Sequence, residues 1–353
     1  MNRPLDARRY FASACLALTV LAAACVDTLI GPPPAPTNSA LFDQLWRDVD
    51  RHYPFLEYKH LNWDSLGAVY RPRAVEAADA DQLAAVLGSL LGELRDDHVS
   101  LSAGGRAAIR FIGPTAAGAF DAAATIRRYV SGAATTAGKH VVYGELAPGV
   151  GYLRVPSFLD DGWTGEIDTA LFALAARGVK GALVIDLRGN MGGERGTAIA
   201  AAGRFADRER TFGYLRFRAG AGHGDFSPYA AERVAPTGAA RFRGAVYLLT
   251  DRDVLSAAEE FVLAMRALPT TTVVGDTTGG ASGGPVVREL SNGWTYQLSQ
   301  WIEYTAAGAI YENIGLAPDV AVASDDTGSG AWRDRALERA IALARGRIGA
   351  TAE

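Results

Sequence analysis

The sequence predicts an α/β protein with a largely parallel sheet, preceded by a small helical region. Three observations point to it. From about residue 150 onward, strand-like apolar runs alternate with helix-period runs, the texture of parallel strands joined by crossover helices. Two of these units, 181–206 and 244–268, share one plan: a buried-type strand, a Gly- or Ser-bearing turn, then a helix. The chain has 353 residues, 49% of them hydrophobic, enough for a sizeable core and about two domains.

The elements follow in order. Leu41, Leu45, Trp46, Val49 and Tyr53 fall at helical spacing, as do Leu83, Val86, Leu87, Leu90, Leu91 and Leu94, so 40–100 reads as a helical domain of about three helices. Residues 101–150 are Gly- and Ala-rich with short strand-like pieces at 108–112 and 140–143, a β-rich connecting segment. The core, 151–350, opens with "GYLRVPSF" (151–158) and a helix at about 164–177. Then come "GALVIDL" (181–187), a helix at about 195–206, "GAVYLLT" (244–250) and a helix at 256–268. "TTTVVGD" (270–276) follows, then a strand region "WTYQLSQWIEY" (294–304), and a final helix runs over about 331–346.

The first 25 residues have a basic start at Arg3, Arg8 and Arg9, then an apolar run from Phe11 to Ala24 that is short for a membrane span. This reads as a secretory signal. "LAAAC" (21–25) resembles a bacterial lipobox, in which Cys25 becomes a lipidated N-terminus; a plain signal peptide cut nearby is the simpler alternative. Val26 after Cys25 favours the outer membrane, facing the periplasm or the cell surface. The Pro-rich stretch within 26–39 is a stiff tether. Both cysteines lie in this leader, so the mature body carries neither a disulfide framework nor a thiolate nucleophile. The net charge of −4 argues against nucleic acid as a partner, and the five scattered histidines (52, 60, 98, 140, 223) show no metal-ligand spacing. No cofactor is expected, and oligomeric state is not legible.

Ser256 follows an apolar strand and opens a helix. Locally it reads as a helix cap: Ser256-Ala-Ala-Glu259 is a capping box. "DLRGNMGGERG" (186–196) places Gly192 and Gly193 where backbone N–H groups can approach a ligand at a helix start, and it fails both nucleotide-binding fingerprints. His98 lies just past an amphipathic helix in "ELRDDHVSL" (93–101), and Glu312 precedes a Gly-x-x-Pro-Asp turn in "AIYENIGLAPDV" (309–320). Only three lysines exist, at 59, 139 and 180, and none follows Ser256. A Ser nucleophile would therefore need His as its base.

In this order, Asp-Asp-His-Val-Ser, Gly-Tyr-Leu-Arg-Val-x-x-Phe, Asp-Leu-Arg-Gly-Asn-x-Gly-Gly, Ser-Ala-Ala-Glu-Glu, Gly-Asp-x-Thr-Gly-Gly and Glu-Asn-x-Gly-Leu-x-Pro-Asp resemble the C-terminal processing (tail-specific) serine peptidases. The resemblance is to the branch with the tricorn core and the interphotoreceptor retinoid-binding protein modules, and it covers nearly all of 40–322. It implies a crotonase-like (ClpP/crotonase) ββα core without a PDZ domain, the roughly fifty residues between His98 and Gly151 being too few for one. It implies Ser256 as nucleophile, His98 as base, Glu312 as the acid that orients His98, and an oxyanion hole from Gly192 or Gly193 with the N–H of Ala257. Asp97 and Val99 depart from the Gly and Thr or Ser that usually flank the family's His.

The implied function is an endopeptidase or tail-trimming peptidase that cuts peptide or protein substrates through an acyl-enzyme. The retinoid-binding modules keep an alternative open, a surface-tethered binder of small apolar ligands. A crotonase-type acyl-CoA enzyme fits less well, since no CoA-phosphate site is evident.

Overall fold

The computed structural model describes residues 36–113, 120–159, 164–322 and 333–350. The leader and Cys25 lie outside the described residues, as do the first residues of the tether. Among the described residues, no helix is long and apolar enough to cross a membrane.

Three helices come first: α1 (Asn38–His52), α2 (Trp63–Val75) and α3 (Ala80–Gly92). Helix α1 begins inside the stretch read as tether, because Thr37 caps it by accepting the Ala40 N–H at 3.2 Å. Leu41, Leu45 and Val49 are buried one turn apart on α1, and Leu83, Leu87 and Leu91 on α3, the apolar stripes that the spacing predicts.

The stretch 100–154 holds β1 (Ser100–Ser102), β2 (Ile109–Arg110), helix α4 (Ala122–Tyr129), β3 (Ser131–Thr135), β4 (Val142–Ala147) and β5 (Val150–Arg154). Helix α4 was not expected from the sequence. Asp121 caps it, accepting the Ala124 N–H at 2.8 Å, and buried Thr125 ties it to Asp334. The alternating region follows as α5 (Thr164–Ala176), β6 (Ala182–Asp186), α6 (Arg195–Ala202), β7 (Arg210–Phe217), β8 (Ala230–Val234), β9 (Ala245–Thr250), α7 (Ala257–Arg266) and β10 (Thr271–Gly275). The remaining elements are β11 (Pro285–Glu289), β12 (Thr295–Ser299), β13 (Trp301–Thr305), β14 (Val320–Ala321) and α8 (Arg335–Ala350).

The main sheet has seven strands in the order β14-β10-β9-β6-β5-β4-β3. From β14 through β5 all neighbours are parallel, and β4 and β3 add an antiparallel edge, so the mixed α/β class holds. Strand alternation places the two faces on two cores. Leu183 and Ile185 of β6, with Val246 and Leu248 of β9, join α5, α6 and α7. Ala182 and Val184, with Tyr247 and Leu249, face Leu337, Ala340 and Ala344 of α8.

The run 294–304, read from sequence as one strand region, divides at Gln300. Its N–H donates to Gly283 O at 2.8 Å, and the chain then passes from a four-stranded sheet (β11-β12-β1-β2) to a three-stranded one (β13-β7-β8). Strand β12 pairs antiparallel with β1, Leu101 opposite Tyr296. A third core therefore joins the N-terminal helices to Leu290, Trp294, Tyr296, Leu298 and Ile302. His98, just before β1, is held at this seam.

Candidate active site

Ser256 sits in the turn between β9 and α7 with φ 54° and ψ −128°, a left-handed conformation costing on the order of 1–3 kcal/mol in a non-Gly residue. Neighbours hold it there. Asn190 O accepts the Leu255 N–H at 3.1 Å, and Glu259 Oε2 accepts the Ser256 N–H at 3.2 Å. The Ser256 hydroxyl lies 2.9 Å from His98 Nε2, and Glu259 closes its half of the capping box on the Ser256 N–H.

The other ring nitrogen of His98 fixes the tautomer. Nδ1 lies 2.9 Å from the carbonyl oxygen of Ser282, which can only accept. The proton therefore resides on Nδ1, and Nε2 presents its lone pair to Ser256 Oγ–H. His98 is steadied from below by its own N–H, which donates to buried Asp96 Oδ1 at 2.9 Å.

Glu312 does not meet His98, contrary to the expectation from the resemblance. Its Oε2 accepts the Ser282 N–H at 2.9 Å and the Ser282 hydroxyl at 3.0 Å, while Oε1 accepts from Lys59 Nζ at 2.8 Å. The Ser282 carbonyl stands where a triad carboxylate would. Burial, and next the charge of Asp96, push the Glu312 carboxyl upward, and the Lys59 ammonium and the Ser282 N–H oppose them in favour of the anion.

Asn190 organises the glycine turn after β6: its Nδ2 donates to Val155 O at 3.0 Å, and its Oδ1 accepts the Gly192 N–H at 2.9 Å. Gly192 thus has no N–H to offer an oxyanion. The N–H groups of Gly193 and Ala257 have no acceptor among the described residues. Gly192 matters differently: a Cβ there would lie 2.9 Å from both Ala257 N and Ser256 Cβ, filling the space beside Ser256. Gly193 is confined by its neighbour, since a Cβ would come within 2.2 Å of the Phe158 backbone.

Ser256 and His98 open into a cleft of about 220 Å³ walled by Met191, Leu255, Ile112, Arg110 and Arg252. A larger depression of about 690 Å³ lies at the far end of α7 among Arg208, Arg210 and Arg266, away from any serine–histidine contact. Among the described residues, no group of His, Cys, Asp and Glu could hold a metal ion.

Residues 149–322 match the model of peptidase family S41, and residues 34–92 match the tricorn protease C1 domain. The matched residues are similar to those of the C-terminal processing peptidases. It is 27% identical over 182 residues to the carboxy-terminal processing protease CtpA of Bacillus subtilis (strain 168), a match covering 51% of this chain and 36% of that protein. The chain thus spans little more than a third of that curated relative. A crystal structure of a Parabacteroides merdae protein assigned as a peptidase superposes with a TM-score of 0.76 at 28% identity, covering 88% of this chain and 97% of the other. The photosystem II D1 C-terminal processing protease shares the fold, with a TM-score of 0.53 at 18% identity over 82% of this chain and 93% of its own.

Sequence reasoning missed Ser282, Lys59 and Asn190. Ser282 acts through its backbone carbonyl, which no residue type announces. Lys59 is more than 250 positions from Glu312, with no spacing to connect them. Asn190 was quoted within a motif but given no role; an Asn two residues before a Gly turn is a usable signal for a side chain that accepts a turn N–H.

Proposed function

We propose that the protein is a serine-type peptidase that hydrolyses peptide bonds through an acyl-enzyme on Ser256. The observation that carries the reading is the 2.9 Å contact between His98 Nε2 and Ser256 Oγ, with Nδ1 capped by a carbonyl. Ser256 Oγ attacks the peptide carbonyl as its proton passes to His98 Nε2. The tetrahedral oxyanion takes hydrogen bonds from the N–H groups of Gly193 and Ala257, worth on the order of 3 kcal/mol per donor in such sites. The imidazolium then protonates the departing amine, and water, deprotonated by the same nitrogen, releases the acyl group. Glu312 serves at one remove, holding the Ser282 segment whose carbonyl orients the base. The ordering of strands and helices around this turn is the reason for assigning a crotonase-like core.

The substrate class is a peptide or protein, cut internally or trimmed from its C-terminus. The leader supports a bacterial envelope location, with a diacylated Cys25 and the Pro-rich stretch as tether. Two experiments test these readings. A fluorophosphonate probe should label wild type and His98-competent enzyme at Ser256 and fail on Ser256→Ala; labelling elsewhere, or turnover of a peptide ester by Ser256→Ala, sinks the peptidase assignment. Mass analysis of the mature N-terminus should find lipid on Cys25 in the membrane fraction, and a soluble species beginning elsewhere refutes the anchor.

A further inference from the structure

Lys59 occupies a position that the mechanism above does not use. It lies beyond α1, yet its side chain is only 9% exposed and ends beside Glu312, which is 1% exposed. Its ammonium has four acceptors: Glu312 Oε1 at 2.8 Å, Leu94 O at 2.9 Å, Tyr53 Oη at 3.0 Å and Arg95 O at 3.2 Å. Three protons facing four acceptors make a closed shell around a cation, and a buried cation of this kind needs an anion. Two are present: Glu312 in contact, and Asp96 at 4.0 Å, itself bound by Tyr53 Oη and by Ser299 Oγ. The shell is set in strained backbone. Arg95 and Asn313 both adopt positive φ, and Asn313 Nδ2 donates to Arg95 O at 2.9 Å, stitching the segment before His98 to the one that carries Glu312.

The contacts form one line from the N-terminal helical region to the nucleophile. Lys59 Nζ holds Glu312 Oε1; Glu312 Oε2 holds the Ser282 N–H and hydroxyl; Ser282 O holds His98 Nδ1; and His98 Nε2 faces Ser256 Oγ. Each link is within hydrogen-bond distance. Lys59 makes no contact with Ser256 and cannot be its base.

We propose that Lys59 is a positioning residue for the hydrolysis: its charge keeps Glu312 an anion, and the anionic Glu312 keeps the Ser282 carbonyl on His98 Nδ1. The proposal rests on the Ser256–His98 reading. Without the ammonium, the buried Glu312 takes up a proton, because Asp96 and burial both oppose its charge. A neutral carboxyl is a weaker acceptor for the Ser282 N–H and must place its own proton, so the 280–284 turn loses its anchor and the imidazole loses the orientation that exposes Nε2. Substrate binding in the cleft does not involve these atoms, so the loss falls on turnover.

The test is Lys59→Met, which keeps length and removes charge, in the full chain, assayed on a peptide ester alone and combined with Glu312→Gln. We expect kcat to fall on the order of 10²-fold, as for other displaced catalytic groups, with KM within about threefold. In the Glu312→Gln background, Lys59→Met should cost less than about threefold more, since the anion through which it acts is gone. Near-normal kcat in Lys59→Met overturns the proposal. So does a loss of equal size in both backgrounds, or one confined to KM. If Lys59→Met does not fold, Lys59→Gln, which keeps two N–H donors without the charge, takes its place with the same outcomes. Turnover by Ser256→Ala would instead defeat the peptidase reading itself, so the two failures are distinct.

Discussion

The two strand–turn–helix units on adjacent strands β6 and β9 have the same plan and opposite solutions to the same geometric problem. Each must reverse sharply at the C-terminal edge of the sheet with left-handed backbone. The β6 turn does so with Gly189, Gly192 and Gly193, at φ 72°, 96° and 137°, and offers backbone. The β9 turn does so with Ser256 at φ 54°, and offers a side chain. Glycine meets such angles without strain but brings no reactive atom; serine brings the atom and carries the strain. The difference shows where stabilising contacts are needed. Buried Glu259 accepts the N–H groups of Ser256, Gly280 and Ala281 and the Thr278 hydroxyl, clamping the Ser256 turn to the turn whose Ser282 carbonyl meets His98. The glycine turn is held by Asn190, by Asp251, which accepts the Gly189 N–H at 3.1 Å, and by the Phe158 backbone, whose N–H donates to Gly192 O at 2.8 Å.

The sharpest way to break this contrast is at the nucleophile. Ser256→Ala should lower kcat by on the order of 10⁶-fold, and His98→Ala nearly as much, because the two act as a unit. The circular dichroism of both should match wild type, and substantial turnover by either removes the functional asymmetry between the turns. Next is the glycine side. Gly192→Ala should cost on the order of 10²–10³-fold in kcat by filling the space at Ala257 N, comparable to losing an oxyanion donor. Gly193→Ala should act on stability instead, since its Cβ meets the Phe158 backbone; thermal melts and single-turnover rates on the pair separate the effects.

The clamp supplies a pH test. Burial drives Glu259 up from 4.5 to about 7 despite its donors. An acid whose native pKa is raised stabilises the fold fully below its unfolded value and loses that contribution as pH rises through the native one. The window here is about 4.5 to 7, and the contribution at stake is up to about 3 kcal/mol. Denaturant midpoints at pH 5 and 7.5 should show a smaller decline in Glu259→Gln than in wild type; equal declines would place the titration elsewhere. The smallest effect tests the strain directly. Ser256→Gly should be more stable than Ser256→Ala by about 1 kcal/mol, because only glycine accepts φ 54° freely.

The parts legible in the sequence are those encoded locally or by ordered motifs. The continuous burial of β6 and β9 follows from their unbroken apolar runs, the stripes on α1 and α3 follow from residue periodicity, and Ser256 with His98 followed from motif order. What stayed hidden is carried by backbone or by distant partners. The Ser282 carbonyl has no letter, and the engagement of the Gly192 N–H by Asn190 depends on a turn geometry that a Gly-Gly pair leaves open. The break at Gln300 arises because Gly283 O captures its N–H, a contact invisible in an unbroken run of strand-forming residues.

The pairing of β1 with β12 has a consequence for how the site comes into being. Leu101 meets Tyr296 across nearly two hundred intervening residues, and closing so long a loop is among the slow events of folding. During synthesis the histidine emerges early and the serine much later. The strand that docks the histidine segment against the rest emerges later still. A nascent or truncated chain ending before β12 therefore holds both reactive residues without holding them together. Bringing the histidine to the serine therefore waits on that long-range pairing.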